Sequence, residues 1–440
     1  MMEMSKKWIL IIPVLLYAAG PLLSQERLTV DDAIAIALEN NFDVRIANKQ
    51  AELSATNNTL GMAGYLPTLA VDAQRNFEIN ETRQEFFTGE VREGSNVKNN
   101  FLNGSAVLDW TLFSGFAVQT TRDQLQAFEE IGDVAALVQM ENTAAAVITA
   151  YFDVYQKQKQ LEAIENSIEI SSERKFLADQ RVSIGTGSGL TFYQASVDLN
   201  TDSANLVRQE FLVTESKAIL NQLLARAPDT EFDVVENFEF RDNLVFGELL
   251  DKVKAQNRDL VLARRDLDVA ELDLKLSKAQ MYPEIGFVSS YNYARSESEI
   301  GFLQSNLTTG LTYGLTARIN IFDGMNNRTR NQMAQITIEQ NKHALDQTAL
   351  QLENDLYNAF AAYEMARKLN TLERENVKVA QQTLDIAKEQ MRLGSITAIE
   401  LRQAQVNLVD AEFRQIQTAY ELKLAETELI RLSGELIGRN

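Results

Sequence analysis

The 440-residue sequence contains no cysteine. That excludes a disulfide scaffold, a thiolate metal site and a lipid anchor built on an acylated cysteine. Histidine occurs once, at His343, in a polar stretch with no triad or metal partner identifiable, and it reads as a surface residue. Only five prolines are present, two of them within the first 24 residues, which leaves room for very long helices. Beyond those 24 residues no run of 18 apolar residues occurs, so no transmembrane helix is expected. Basic charge is in deficit, with 42 Lys and Arg against 62 Asp and Glu and a net charge of −20. Phosphate binding needs a basic footprint, so nucleic acid is not an expected partner. Gly185-Thr186-Gly187-Ser188-Gly189 lacks the Gly-Lys-Ser/Thr ending of a phosphate loop and reads as a turn between helices. No nucleophile, cofactor or metal motif stands out, so neither an enzyme nor a bound cofactor is expected.

The first residues carry a processing signal. Lys6 and Lys7 precede an apolar run from Trp8 to about Leu23, and Ser24 offers a small residue before Gln25. A basic segment, a short apolar segment and a small residue make a secretory signal peptide over 1–24. The alternative is an N-terminal anchor, but the run falls short of the roughly 20 residues that span a bilayer.

The remainder repeats itself. Leu28–Gln74 aligns with Leu244–Ser290 at an offset of 216, pairing Asn41 with Asn257, Asp43 with Asp259 and Pro67 with Pro283. Further on the offset is 209, pairing Phe113 and Gly115 with Phe322 and Gly324, Gly185 with Gly394, and Gln194 with Gln403. The first half thus carries seven extra residues between its proline and its Phe-x-Gly, expected in a loop. Two repeats follow, 25–243 and 244–440. Each reads as a helix, a proline-started hairpin, a very long helix, a glycine turn and a last helix.

The expected helices are Val30–Met62, Phe116–Val182 and Leu190–Ala225, then Phe246–Gln280, Met325–Leu393 and Ala398–Ser433. A helix of 67 residues is about 100 Å long at 1.5 Å per residue, and the flanking helices are about half that. Two short helices end to end would match one long one. Leu401, Ala404, Leu408, Ala411, Gln415, Thr418, Leu422, Ala425, Leu429 and Leu432 alternate steps of three and four, a heptad seam with small residues for close approach.

The hairpins have a different period. Leu307, Thr309, Leu311, Tyr313, Leu315, Ala317, Ile319 and Ile321 alternate with Thr308, Gly310, Thr312, Gly314, Thr316, Arg318 and Asn320. Phe101–Phe113 alternates too, as do the residues after Pro67 and Pro283, although Arg75 interrupts the apolar face of its strand. Such length suits a tilted membrane strand, and apolar-out, polar-in alternation with aromatics is the pattern of an outer-membrane barrel. Four strands cannot close a barrel with a lumen, and an open edge in lipid leaves backbone groups unsatisfied, so oligomerisation is required. The stretches Asn80–Asn100 and Arg295–Asn306 are expected to be loops facing the cell exterior.

In this order, twice over, the motifs resemble those of the TolC-like outer-membrane efflux family across essentially the whole mature chain. The resemblance rests on Leu28-Thr29-Val30 with Asn41, on Pro67 and Pro283, on Leu112-Phe113-Ser114-Gly115 with Ile321-Phe322-Asp323-Gly324, and on Gly185 with Arg392-Leu393-Gly394-Ser395. It implies an α+β membrane protein: a homotrimer with a 12-stranded β-barrel, four strands per chain, continued by a 12-helix periplasmic coiled-coil tunnel. It implies a passive outer-membrane duct, in contact with outer membrane lipid, fed by an inner-membrane pump through a periplasmic adaptor. It places adaptor docking at the tip turns Gly185, Thr186 and Gly187 and Arg392, Leu393, Gly394 and Ser395. It places the pore constriction at Glu400 and Gln403, with Thr191 and Gln194 as their first-half counterparts. Glu400 matches the first acidic position of the family's tip; Gln403 matches the second without being acidic, and Ile396 stands where the family's tip arginine falls. A duct for protein export shares this architecture. A secreted coiled-coil interaction protein is the remaining alternative.

Overall fold

The computed structural model describes residues 26–235, 240–241 and 244–437. The expected signal segment over 1–24 lies outside the described residues. The chain runs β1 (Glu26–Leu28), α1 (Val30–Asn40), α2 (Phe42–Asn57), β2 (Thr68–Glu85), β3 (Val91–Ser114), α3 (Ala117–Ser183), α4 (Gly189–Leu223) and β4 (Phe232–Val234). It then repeats the plan as α5 (Phe246–Gln256), α6 (Arg258–Ala279), β5 (Glu284–Ser298), β6 (Ser305–Arg318), α7 (Asn326–Arg392) and α8 (Ala398–Leu432). The two halves match in length: α3 and α7 have 67 residues each, and α4 and α8 have 35 each.

Two helices expected to be continuous are broken, at the repeat mates Asn41 and Asn257. Asn41 leaves helical geometry and its Oδ1 accepts from the N–H groups of Asp43 and Val44, capping α2. Its Nδ2 donates to Leu223 O at 2.9 Å, a carbonyl at the end of α4. Asn257 does the same, with Nδ2 donating to Leu432 O at 3.0 Å and Oδ1 accepting from Leu260 N. One side chain thus satisfies orphan groups at two helix ends at once. α4 and α2 become one interrupted rod beside α3, and α8 and α6 another beside α7. The end-to-end stacking expected from the lengths is present, with α1 and α5 turned aside rather than included. That release lets α1 bury Ala33 and Ala37, with Leu28, against Tyr151, Phe152 and Leu220 of α3 and α4. The parallel β1–β4 pair was not expected; three residues per strand are too short to show a period.

The helices pack side by side in a row. In the lower half the order is α4, α3, α8, α7; in the upper half it is α2, α3, α6, α7. Nine of the ten residues of the α8 seam are buried, all but Gln415. Gly115 joins hairpin to helix with φ +64, and a Cβ there would lie 2.4 Å from Ala279 O, which accounts for the glycine of Phe-x-Gly.

β2, β3, β5 and β6 form one antiparallel sheet in that order. Its register brings the separate alternations onto common faces. One row holds Leu69, Leu108, Ser289 and Tyr313, the next Val71, Ala106, Tyr291 and Leu311, and the next Ala73, Gly104, Tyr293 and Thr309. The opposite face carries Asp72, Ser105, Asn292 and Gly310 in one row. The apolar face is uncovered, with Leu69, Tyr313 and Leu315 each at least 70% exposed.

Three boundaries need correction. Asn80–Asn100 is mostly strand, because the seven extra residues lengthen the β2–β3 ribbon. Thr82 to Glu85 pair with Gly94 to Val91 beyond a bulge, Arg83 meets Glu93 at 3.0 Å, and only Phe86–Glu90 turns. Likewise β5 runs on to Ser298 and β6 starts at Ser305, so the second loop is shorter than Arg295–Asn306. β6 stops at Arg318, which leaves Ile319 and Ile321 exposed beyond its end. Arg75 does not end β2; it lies level with Leu102, Arg295 and Leu307, where the apolar rows finish.

Candidate functional site at the helical tip

The two long hairpins of helices turn at one end of the molecule. Ile184 caps the end of α3, and Gly185 takes φ +79, so that Gly185 N donates to Val182 O and Thr186 N to Arg181 O. Gly187 N also reaches Arg181 O at 2.7 Å, and Ser188 then caps α4 through Leu190 N. Leu393 caps the end of α7, and Gly394 at φ +75 repeats the device: Gly394 N donates to Met391 O and Ser395 N to Gln390 O. Both turns use a left-handed glycine to satisfy the last carbonyls of a helix. Arg392, by contrast, pairs locally with Glu389 at 3.0 Å.

Glu400 is exposed and committed to a local role. The Thr397 N–H and hydroxyl both donate to its carboxylate at 2.8 Å, and its own N–H donates to Thr397 Oγ1 at 3.3 Å. This capping box starts α8. The backbone hydrogen bond from Thr397, followed by that from its hydroxyl, holds the carboxyl below the ordinary glutamate range. Gln403 is exposed, with its amide donating to Asn407 Oδ1 at 2.8 Å. Gln194 is exposed as well, whereas Thr191 is half-buried. Thr191 lines a cavity of about 200 Å³ between the two hairpins, together with Thr186, Gly187, Ser188, Met391, Ala398 and Leu401. Within one chain Thr186 and Gly187 therefore share a groove with the second hairpin, while Gly185 and Arg392, Leu393, Gly394 and Ser395 lie outside its lining and Glu400, Gln403 and Gln194 are exposed.

A polar network not read from the sequence sits just above this groove. Arg174 of α3 binds Asp198 of α4 at 2.6 Å and donates to Gln405 Oε1 of α8 at 3.1 Å. Arg402 of α8 holds Asp202 of α4 by two parallel bonds of 2.7 and 2.8 Å. Ser171 donates to Asp202 at 2.6 Å and accepts from Gln405 Nε2 at 2.8 Å, and Gln405 also donates to Ser167 O at 2.7 Å. Ser171 and Gln405 are each only 1% exposed. The hydrogen bonds to Asp202 raise the Arg402 guanidinium above its ordinary value despite partial burial. Bidentate charge-assisted bonds of this kind fix geometry as well as charge, so the network locks α8 to the α3–α4 pair. A sequence signal was available: Arg174, Asp202 and Arg402 are charged where their repeat mates Thr383, Ala411 and Tyr193 are not.

Among the described residues no helix is long and apolar enough to cross a membrane, and no group of three His, Asp or Glu residues is placed to hold a metal ion. The uncovered apolar sheet above a long helical body finds its parallel in known proteins. The family model described as "Outer membrane efflux protein" matches residues 33–226 and 249–435, one segment in each half. Outer membrane efflux protein BepC of Brucella suis is 20% identical over 67% of this chain, which spans 64% of that relative's length. Alkaline protease secretion protein AprF of Pseudomonas aeruginosa is 24% identical over 93% of this chain and 88% of its own. The crystal structure of the Campylobacter jejuni CmeC outer membrane channel superposes with a TM-score of 0.77 at 14% identity, covering 92% of this chain and 85% of that one. This protein is thus one of the outer-membrane channels: the chain belongs to the outer membrane efflux protein family.

Proposed function

We propose that three copies of this chain close into one channel, through which an inner-membrane pump passes small molecules to the exterior. The observation that carries this reading is the coincidence of unpaired edges. β2 and β6 are the open edges of the sheet, and the helical row ends on the same sides in α2 and α4 at one border and α7 at the other. Both helical borders are apolar. Leu372, Val379, Ile386 and Leu393 recur every seven residues on α7 and are exposed; Tyr193, Val197, Val207 and Phe211 are exposed on α4. Joining β6 and α7 of one copy to β2 and α4 of the next is a head-to-tail contact, which must close into a ring. Two copies would bring eight strands, whose barrel interior side chains fill; three copies with twelve strands make the smallest ring with an open lumen.

In this reading the duct is passive. A periplasmic adaptor engages the turns Gly185–Gly187 and Arg392–Ser395. Three copies of Glu400, with Gln403, Thr191 and Gln194 nearby, line the constriction, and rings of carboxylate favour cations. Export of proteins is the second reading, favoured by the likeness to AprF over nearly the whole chain. Light scattering of the detergent-extracted protein, with heated and unheated gel mobility, tests the ring. A trimer mass supports it, and a monomer sinks it. Glu400→Gln should then reduce cation selectivity in single-channel recordings, and unchanged selectivity would remove Glu400 from the constriction.

A further inference from the structure

The membrane-facing side of the sheet does not end in an ordinary polar rim. Above the apolar rows, Arg75 and Arg295 stand on either side of Leu102, two strands apart and so about 10 Å between backbones. The next row brings Phe77, Asn100 and Glu297, and Lys98 lies on the same face beside Ile79. The polar groups are joined. Arg75 Nε donates to Asn100 Oδ1 at 3.2 Å, Asn100 Nδ2 donates to Glu297 Oε2 at 3.2 Å, and Arg295 meets Glu297 at 2.6 Å. One amide and one carboxylate thereby orient two guanidiniums over a hollow of about 260 Å³ lined by Arg75, Asn100, Leu102, Arg295 and Glu297. Beside it opens a recess of about 1100 Å³ whose lining includes Lys98, Glu299 and the apolar side chains of Phe77, Ile79 and Phe302.

The hollow itself is lined by two guanidiniums and one carboxylate, Glu297, which leaves it cationic on a chain whose net charge is −20, while the recess beside it adds Lys98 together with Glu78 and Glu299. Its position is as informative as its charge: it begins where the apolar face stops, at the depth of lipid headgroups. An amphiphile with a phosphate head fits both halves, the phosphate on the guanidiniums and the acyl chains along Tyr293, Tyr291 and Leu311 in the rows below. Arginine suits that role because its planar fork binds phosphate oxygens in pairs.

We propose that Arg75, Arg295 and Lys98 form a binding site for the phosphate headgroup of a membrane lipid on the outer surface of the sheet. The proposal rests on the reading that the apolar face of the sheet meets lipid. Lipid captured there would anchor β2, β3 and β5 at a fixed depth and brace the ribbon that rises above them.

The test is native mass spectrometry of the folded, detergent-solubilised full chain, titrated with dioleoyl phosphatidic acid, dioleoyl phosphatidylcholine or inorganic phosphate. Phosphatidic acid should bind saturably at one site per chain and more tightly than phosphatidylcholine, and inorganic phosphate should not displace it. The pair Arg75→Gln and Arg295→Gln should weaken that binding about thirtyfold, since each cation near a membrane surface is worth about fivefold. Arg75→Lys with Arg295→Lys should restore part of it, a readout that a folding defect in the glutamine variant does not mimic. Equal binding of both lipids, or undiminished binding in the folded glutamine variant, overturns the site. Displacement by inorganic phosphate overturns its assignment to lipid. A chain that remains soluble without detergent refutes the membrane-facing sheet itself, and is told apart by that behaviour.

Discussion

The helix pairs α3–α4 and α7–α8 have the same lengths and the same glycine turns, but their flanks meet different neighbours. Inside the chain, α8 meets α4 through Arg402–Asp202 and α3 through Gln405 with Arg174 and Ser171, while Arg174–Asp198 ties α3 to α4. The repeat mates of these residues are Tyr193, Ala411, Thr383, Asn407 and Ser196. Tyr193 and Ser196 lie on α4 and Thr383 on α7, the border helices that expose apolar stripes, while Asn407 is exposed on α8 and Ala411 is buried in its seam. A duplicated plan has thus been finished with hydrogen-bonded charge at its internal joint and with apolar surface at its outer one. Burial of apolar surface is non-directional and tolerates small adjustments between copies. A bidentate ion pair fixes one geometry.

Breaking the internal joint should have the largest effect. Asp202→Ala strands Arg402 and leaves Ser171 without its acceptor, at a cost of about 3 kcal/mol. Asn407→Ala, at the mate of Asp198, should cost less than about 0.5 kcal/mol. Denaturant melts of the detergent-solubilised protein compare the two, and similar losses would mean the asymmetry carries no energy.

The shared joints should behave alike. Asn41→Ala and Asn257→Ala each remove a helix cap and a bond to the preceding helix end, at a cost of about 1–2 kcal/mol. Hydrogen exchange at α2 and α6 measures both; a severalfold difference in local opening would break the equivalence of the halves.

The caps at the tip differ in the opposite direction. Thr397→Ala removes the hydroxyl hydrogen bond to Glu400 and leaves the backbone one, so the Glu400 pKa should rise part of the way toward the ordinary glutamate value. With a lowered native pKa, this carboxylate supports the fold above its unfolded pKa, and that support fades as pH falls through the lowered value. Cation selectivity carried by Glu400 should therefore persist to lower pH in the native chain than in Thr397→Ala. Identical selectivity-versus-pH curves would detach selectivity from this cap.

The smallest effect is expected at Glu412, where the repeat mate is Ser203. Burial, then the nearby charge of Glu162, raise its pKa. Its contribution to stability is present below the unfolded pKa and is lost as pH rises through the raised value. Glu412→Gln should accordingly stabilise the protein near neutral pH, by less than about 1 kcal/mol, and leave it unchanged in mild acid. A melting scan at both pH values reads this directly.

Much of this organisation was legible beforehand because it follows from periodicity. The seam Leu401 to Leu432 marked the buried face of α8, and the alternation from Leu307 to Ala317 marked one face of β6. Asn41 shows where reading residue by residue ended. Its pairing with Asn257 was visible, but asparagine is tolerable within a helix, and only the carbonyl of Leu223 makes it a joint. The extension of β2 and β3 was hidden because Arg83, Glu85, Glu93 and their neighbours are charged. Such residues read as loop, although the paired backbone and the Arg83–Glu93 bridge make them strand.

The sequence by itself determined the lengths, the two periods and the duplication, because each is written in the spacing of apolar residues along one element. Only the tertiary structure decided which helices α8 faces and which polar partners Arg402 and Gln405 find there. Those depend on residues 200 or more positions apart meeting at hydrogen-bond distance, as Arg402 and Asp202 do, and no local pattern encodes such a meeting.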